Sequence, residues 1–261
     1  MSIRKNIVIA VFTFFVFTAL YHVGYTQTTD TLTNGLVGHW KFDAINTTTF
    51  TTADTSTNNN TGTLGTTTRF VAGKFGQAMK FDENVRNQYM TTSKTFTSPQ
   101  WSVSTWVNPE FPLPLGAPYN GLIAFFSTDP GGQMLGIQKG GVYMYTTKIA
   151  TYDFANNPGW HHIVVTYDGT NLTAVVDNSA KGSIPYKNLM ASNIKRHIGV
   201  NVPEGTYHMF KGMIDETRLY NRVLTSNEIT SLFNNTASAP VTLAPTPTLT
   251  PTLISATPVA V

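Results

Sequence analysis

The chain has 261 residues, with 17 Lys and Arg against 14 Asp and Glu, a formal net charge of +3. Hydrophobic residues make up 41% and charged residues only 12%, so solubility rests on uncharged hydrogen-bonding side chains, and the length suits one large all-β domain or two small ones. With no cysteine, disulfides, thiolate metal sites and thiol chemistry are excluded.

Arg4 and Lys5 precede an apolar run from Ile7 to Leu20. This is the basic-then-apolar pattern of a secretory signal peptide, assigned here to residues 1–26, with cleavage before Gln27. The run is short for a bilayer span, and the alternative is an uncleaved anchor continuing to Val23, the one route by which the chain would touch a membrane. Either reading predicts an extracellular or cell-surface location. Losing Arg4 and Lys5 from the 17 basic residues leaves 15 against 14 acidic ones. The sequence pI of about 9.0 therefore says nothing about nucleic acid, and no basic block remains to bind one.

From Gly35 to Tyr220, short runs rich in β-branched and aromatic residues alternate with Gly, Asn, Asp and Pro: "LVGHWKF", "FGQAMKF", "WSVSTWV", "GLIAFFS", "VYMYTT", "HHIVVTY", "LTAVVD", "RHIGV" and "MIDETRLY". This spacing predicts an antiparallel all-β sandwich or barrel. One short helix is predicted in "TSNEITSLF", where Thr225 and Glu228 form a capping box and Ile229, Leu232 and Phe233 share a face. The domain is assigned to residues 27–236. Residues 237–261 alternate Thr and Pro without charge, the composition of an extended linker or stalk.

The two adjacent histidines of "WHHIVVTYDGT" raise the question of a metal or catalytic site. In a strand, neighbouring side chains point to opposite faces, so His161 and His162 do not ligate one ion together. His161 is expected to share a face with Ile163, Val165 and Tyr167, and His162 the other with Val164 and Thr166. Asp168-Gly169 reads as the following turn. His162 alone is kept as a surface ligand contact.

Glycoside hydrolysis requires two cooperating carboxylates. No E-x-D-x-E or E-x-D-x-x-E strand is present, and the adjacent pairs Asp82-Glu83 and Asp215-Glu216 are expected to diverge to opposite faces. No G-x-S-x-G elbow occurs either, so no catalytic residue is assigned. Sugar recognition needs aromatic faces and hydrogen-bonding groups. Trp40, Trp106 and Trp160 sit in strand-like runs and are read as core. Tyr119, Tyr143, Tyr145, Tyr152 and Tyr207 are better ligand candidates, with Tyr143 and Tyr145 on one face and Met144 on the other.

Five blocks, "GLVGHWKFD", "ADTSTNNNTGTL", "VAGKFGQAMKFD", "WHHIVVTYDGT" and "FKGMIDETRLYNRVLTSNEITSLFN", occur in the order seen in bacterial laminin G-like, concanavalin A-like domains. The chain resembles that family. The resemblance implies a two-sheet jelly roll and a mostly non-catalytic module that binds carbohydrate or protein and often carries calcium. It further implies a structural calcium site from Asp54, Asn58 and Asn60, with Asp43 and Asp215 nearby; the alternative is that these side chains stabilise turns. Two departures stand out: Ala44 where an acidic residue is usual, and Glu83 where Gly is. Residues Glu110–Phe154 match nothing in the family. A glycan is the expected ligand, with Tyr143, Tyr145, Tyr119, Tyr207 and His162 as contacts. The alternatives are a structural or adhesive surface protein that binds protein partners, and a glycoside hydrolase of the same fold class.

Overall fold

The computed structural model describes residues 31–82, 85–111, 123–127, 134–187, 193–200 and 209–235. The proposed signal segment, the Thr/Pro tail, Tyr119 and Tyr207 lie outside them. The first half contributes β1 Leu36–Trp40, β2 Ile45–Asn46, β3 Thr51–Thr52, β4 Gly62–Leu64, β5 Arg69–Ala72, β6 Gln77–Phe81, β7 Met90–Phe96 and β8 Trp101–Pro109. The second half contributes β9 Ile123–Ser127, β10 Met134–Gln138, β11 Gly141–Met144, β12 Thr147–Thr151, β13 His161–Tyr167, β14 Asn171–Val176, β15 Ser179–Pro185, β16 Ile194–Ile198 and β17 Gly212–Tyr220. Helix α1, Ser226–Phe233, follows.

The strands form two antiparallel sheets. One runs β15-β14-β13-β8-β17-β6-β5, with β1 also paired to β17; the other runs β12-β11-β10-β9-β16-β7-β4-β3-β2. Alternation delivers one side of each strand to a shared interior. Trp40, Phe81, Ile163, Val165 and Leu219 of the first sheet meet Leu64, Met90, Phe126, Ile137 and Met144 of the second, each at most 5% exposed. This is the expected sandwich.

The "WHHIVVTYDGT" segment is β13, paired to β8 and β14 at the centre of its sheet. The Asp168 carboxylate accepts from the amides of Thr170 and Asn171 at 2.8 and 2.7 Å, and Gly169 takes φ +100°, so this turn closes as its residues suggest. Helix α1 carries the predicted capping box: the Thr225 side chain accepts from the Glu228 amide, and the Thr225 amide donates to Glu228. Its apolar residues Ile229 and Leu232 bury against Val164, Tyr220 and Leu224, which roofs the outer face of the eight-stranded sheet.

Candidate functional site

Among the described residues, the nine-stranded sheet has no helix on its outer face. Cross-strand pairing builds a row across it: Asn46 opposite Thr51, Thr51 opposite Thr63, Thr63 opposite Thr91, and Thr91 opposite His197. The Thr91 hydroxyl and His197 Nδ1 are 2.9 Å apart. Burial, reinforced by Arg196 and Lys195, pushes the His197 imidazole down to about 4, so the ring is neutral at ordinary pH. At the end of the row the His197 amide donates to Oγ of the buried Ser127 at 2.7 Å, and Ser127 pairs with Met134. Neutral hydroxyls, an amide and an imidazole are groups that exchange hydrogen bonds with polyols.

Beyond Met134 lie the tyrosines. Tyr143 and Tyr145 are half-buried and pack against Ala124 and Met134, while Met144 between them is buried in the inter-sheet core. The expected alternation therefore holds. Tyr145 sits just outside β11, in the turn to β12, with φ +50°; its amide donates to the Met134 carbonyl at 2.9 Å. Tyr143 pairs with Gly136, which pairs with Ala124. On that side, β10 and β9 thus offer almost no side chain at the level of the Tyr143 ring, while on the other side Lys148 of β12 pairs with Tyr143. Lys148 Nζ lies 5.6 Å from the Tyr143 ring centroid.

The histidines have another fate. His162 was expected at the surface but is 1% exposed. Its ring lies 5.1 Å from Trp106 and 6.1 Å from Phe233 of α1, and its Nε2 is 2.8 Å from Ser104 Oγ. Burial, with Arg218 nearby, pushes the ring down to about 3. The helix from the far end of the domain covers the face on which His162 points outward, and it becomes a neutral core residue. His161, on the other face, has Nδ1 2.8 Å from Asp177 Oδ2 and Nε2 2.7 Å from the Asn157 carbonyl. Burial opposes its charge, but these two acceptors outweigh that and raise its pKa. The Tyr152 hydroxyl donates to the same Asp177 carboxylate, and burial together with that bond pushes it up to about 12. Tyr152 belongs to this structural network rather than to the tyrosine surface.

The expected calcium ligands divide into two bonding sets. Asp54 Oδ1 accepts from the amides of His39 and Ser56, and its Oδ2 from Ser56 Oγ and the Asn60 amide, all at 2.7–2.8 Å. Asn60 Oδ1 accepts from the Lys94 amide and Ser93 Oγ, and Asn58 donates to the Leu36 carbonyl. The side-chain oxygens of Asp54 and Asn60 are thus taken up in holding the loop, while Asn58 is bonded through its amide nitrogen. Asp43 and Asp215 instead pin the β5–β6 turn, accepting from the amides of Gln77 and Phe75. Among the described residues no three His, Asp or Glu side chains converge as a metal cluster.

The expected divergence of Asp215 and Glu216 is corrected by a bulge. The β17–β8 register shifts here, and Glu216 adopts φ +50°. Strict alternation is lost, and the Glu216 charge adds to burial in raising Asp215 to about 7. Both carboxylates are closed off, at 0 and 5% exposure. Of the tryptophans, Trp40 and Trp106 are buried as expected, at 0 and 3%, and Trp160 is partly so. Sequence reading missed the Asn46–Thr51–Thr63–Thr91 row because threonine-rich segments of two or three residues carry no apolar alternation. It also missed Phe50, the one large hydrophobic residue exposed among the described residues, at 44%.

A model of the concanavalin A-like lectin/glucanases superfamily, of the laminin G type, matches residues 82–230. The chain belongs to this family. In structure the domain is similar to domain 4 of AbnA, a GH43 extracellular arabinanase from Geobacillus stearothermophilus solved with arabinotriose: 24% identity, TM-score 0.55, covering 76% of this chain and 97% of that one. The binding domain of Paraclostridial Mosquitocidal Protein 1 gives 16% identity and TM-score 0.59, over 78% of this chain and 53% of that one. The ligand-binding domain of botulinum neurotoxin serotype D, solved with N-acetylneuraminic acid, gives 12% and 0.59, over 78% and 51%. The chain thus spans about half the length of these toxin domains. At such identities the likeness is one of fold. A comparison of the sequence with curated proteins found no match.

Proposed function

We propose that this lectin/glucanase-type domain is an exported, non-catalytic carbohydrate-binding module whose binding face is the outer surface of the nine-stranded sheet. The observation that carries the reading is the asymmetry of the sandwich. Helix α1 seals one outer face with apolar side chains, whereas the other bears two half-exposed tyrosines beside small residues and a row of hydroxyl and amide groups. Aromatic rings pack on the CH faces of sugars, and fixed polar groups set their orientation. The basic-then-apolar start of the chain supports export, and the Thr/Pro tail would give the module reach and allow avidity where copies cluster. The solved arabinanase domain that binds arabinotriose supports a glycan ligand by analogy of fold. Asp54 and Asn60 already spend their oxygens within the fold, so the reading needs no calcium.

The test is affinity electrophoresis of the full chain through a panel of plant, fungal and bacterial polysaccharides, arabinan included. One polysaccharide is expected to retard the protein, and the Tyr143→Ala/Tyr145→Ala double variant to run unretarded in it. Equal retardation of both proteins would remove the tyrosine face. No retardation in any gel would turn the reading toward a protein-binding surface module.

A further inference from the structure

A separate pocket of about 310 Å³ opens on the other sheet, beside the helix layer, where β1, β17 and the 55–57 loop meet. The β1–β17 register sets His39 opposite Arg218. Glu216 Oε2 sits between them, 2.7 Å from His39 Nε2 and 2.7 Å from Arg218 Nη2. Burial lowers the His39 pKa. The neutral ring then donates from Nε2 to Glu216 and accepts at Nδ1 from the Thr55 hydroxyl, 2.9 Å away. The Glu216 carboxylate and the Arg218 guanidinium therefore cancel.

Of the two cations that line the pocket, Lys41 and Arg218, only Arg218 is paired to Glu216. Lys41 lines the same pocket, and it lowers the pKa of His39 through space and that of Glu216 likewise. It has no hydrogen bond or ion pair among the described residues. Asp54, next to the loop, is committed to four hydrogen bonds within the fold. Arg218 is largely buried, its side chain 14% exposed, and among the described residues its guanidinium bonds go to Glu216 alone. A guanidinium has five N–H donors, so several remain for a ligand. Thr57 adds an exposed hydroxyl with no partner among the described residues, and Leu36 adds an apolar wall. The volume lies at the small end of the ligand-pocket range of roughly 300–1,000 Å³, suited to one sugar ring rather than a chain.

We propose that this pocket binds a single carboxylate-bearing sugar unit, its carboxylate between Lys41 and Arg218 and its ring between Leu36 and the Thr57 hydroxyl. Charge-assisted hydrogen bonds to a lysine and a largely buried arginine discriminate an acid from its neutral analogue. The site is distinct from the tyrosine face and stands or falls independently of it.

The experiment is calorimetric titration of the full chain with D-glucuronate, with its methyl ester and with D-glucose. The acid is expected to bind saturably, at least about tenfold more tightly than the ester or glucose, a difference corresponding to one charge-assisted contact. Added salt should weaken it, because Lys41 is partly exposed. Lys41→Gln should lose about tenfold in affinity and Lys41→Arg should retain it. Tyr143→Ala/Tyr145→Ala should leave it unchanged. Equal binding of acid and ester, no binding of the acid, or full affinity in Lys41→Gln would each overturn the proposal. Among the described residues Lys41 has no hydrogen bond or ion pair to lose, so a folding defect is not expected to obscure the result.

Discussion

Trp106 of β8 and Phe233 of α1 lie nearly parallel, ring centroids 5.7 Å apart at 19°, and His162 packs against both. The stack joins the last turn of the helix to the middle of the eight-stranded sheet. Lys74 Nζ sits 4.2 Å from the Trp106 ring, adding a cation–π contact. The helix is held by these rings as much as by its apolar stripe. Phe233→Ala should cost about 2 kcal/mol, by analogy with burial of a large side chain. It should also admit water to His162, whose pKa should rise from about 3 toward the ordinary imidazole value. Denaturant unfolding and histidine NMR titration measure the two effects, and an unchanged His162 would mean that burial by the helix does not set its pKa.

Tyr145 offers a way to separate ligand contact from structure. Its φ of +50° is a left-handed conformation that costs a non-glycine residue roughly 1–2 kcal/mol. Tyr145→Gly removes the ring but relieves that cost, which offsets the lost packing on Met134. The variant should keep its Tm within a few degrees while losing polysaccharide binding. A loss of both together would assign Tyr145 a structural role.

Asp215 should make stability depend on pH. Burial, with a contribution from Glu216, raises its folded pKa to about 7. In the unfolded chain the group has lost its proton by about pH 5. Between those values the folded state holds the extra proton, so stability falls as pH rises from about 4 to 7. Asp215→Asn mimics the protonated form. Thermal unfolding from pH 4 to 8 should show a flatter profile for the variant and a higher Tm than wild type at pH 8. Parallel profiles would show that Asp215 ionises as freely in the fold as in the unfolded chain.

Asp54 should behave as a loop organiser. Asp54→Ala strips partners from four donors and should cost about 2–3 kcal/mol, the scale of hydrogen bonds to a charged group. Chelator should leave the Tm and the polysaccharide binding of the wild type unchanged. A chelator-sensitive Tm, restored by calcium, would instead put an ion among these loops.

Much was legible from local chemistry alone. Alternation along "HHIVVTY" separated His161 from His162, Asp168-Gly169 marked the turn, and Thr225 with Glu228 started the helix, because each depends on residues within a few positions of one another. What covers each face did not follow from that information. His162 points outward from its strand, as alternation requires, yet it is core because a helix formed some 65 residues later folds over it. Asp54 has the composition of an ion ligand and spends its oxygens on His39, Ser56 and Asn60. The threonines at 51, 63 and 91 become one row only when strands distant in sequence pair in register. Local sequence determined which residues form strands and which side of a strand each faces. The tertiary structure alone decided which side meets solvent, because strand pairing and helix docking are set by partners far along the chain.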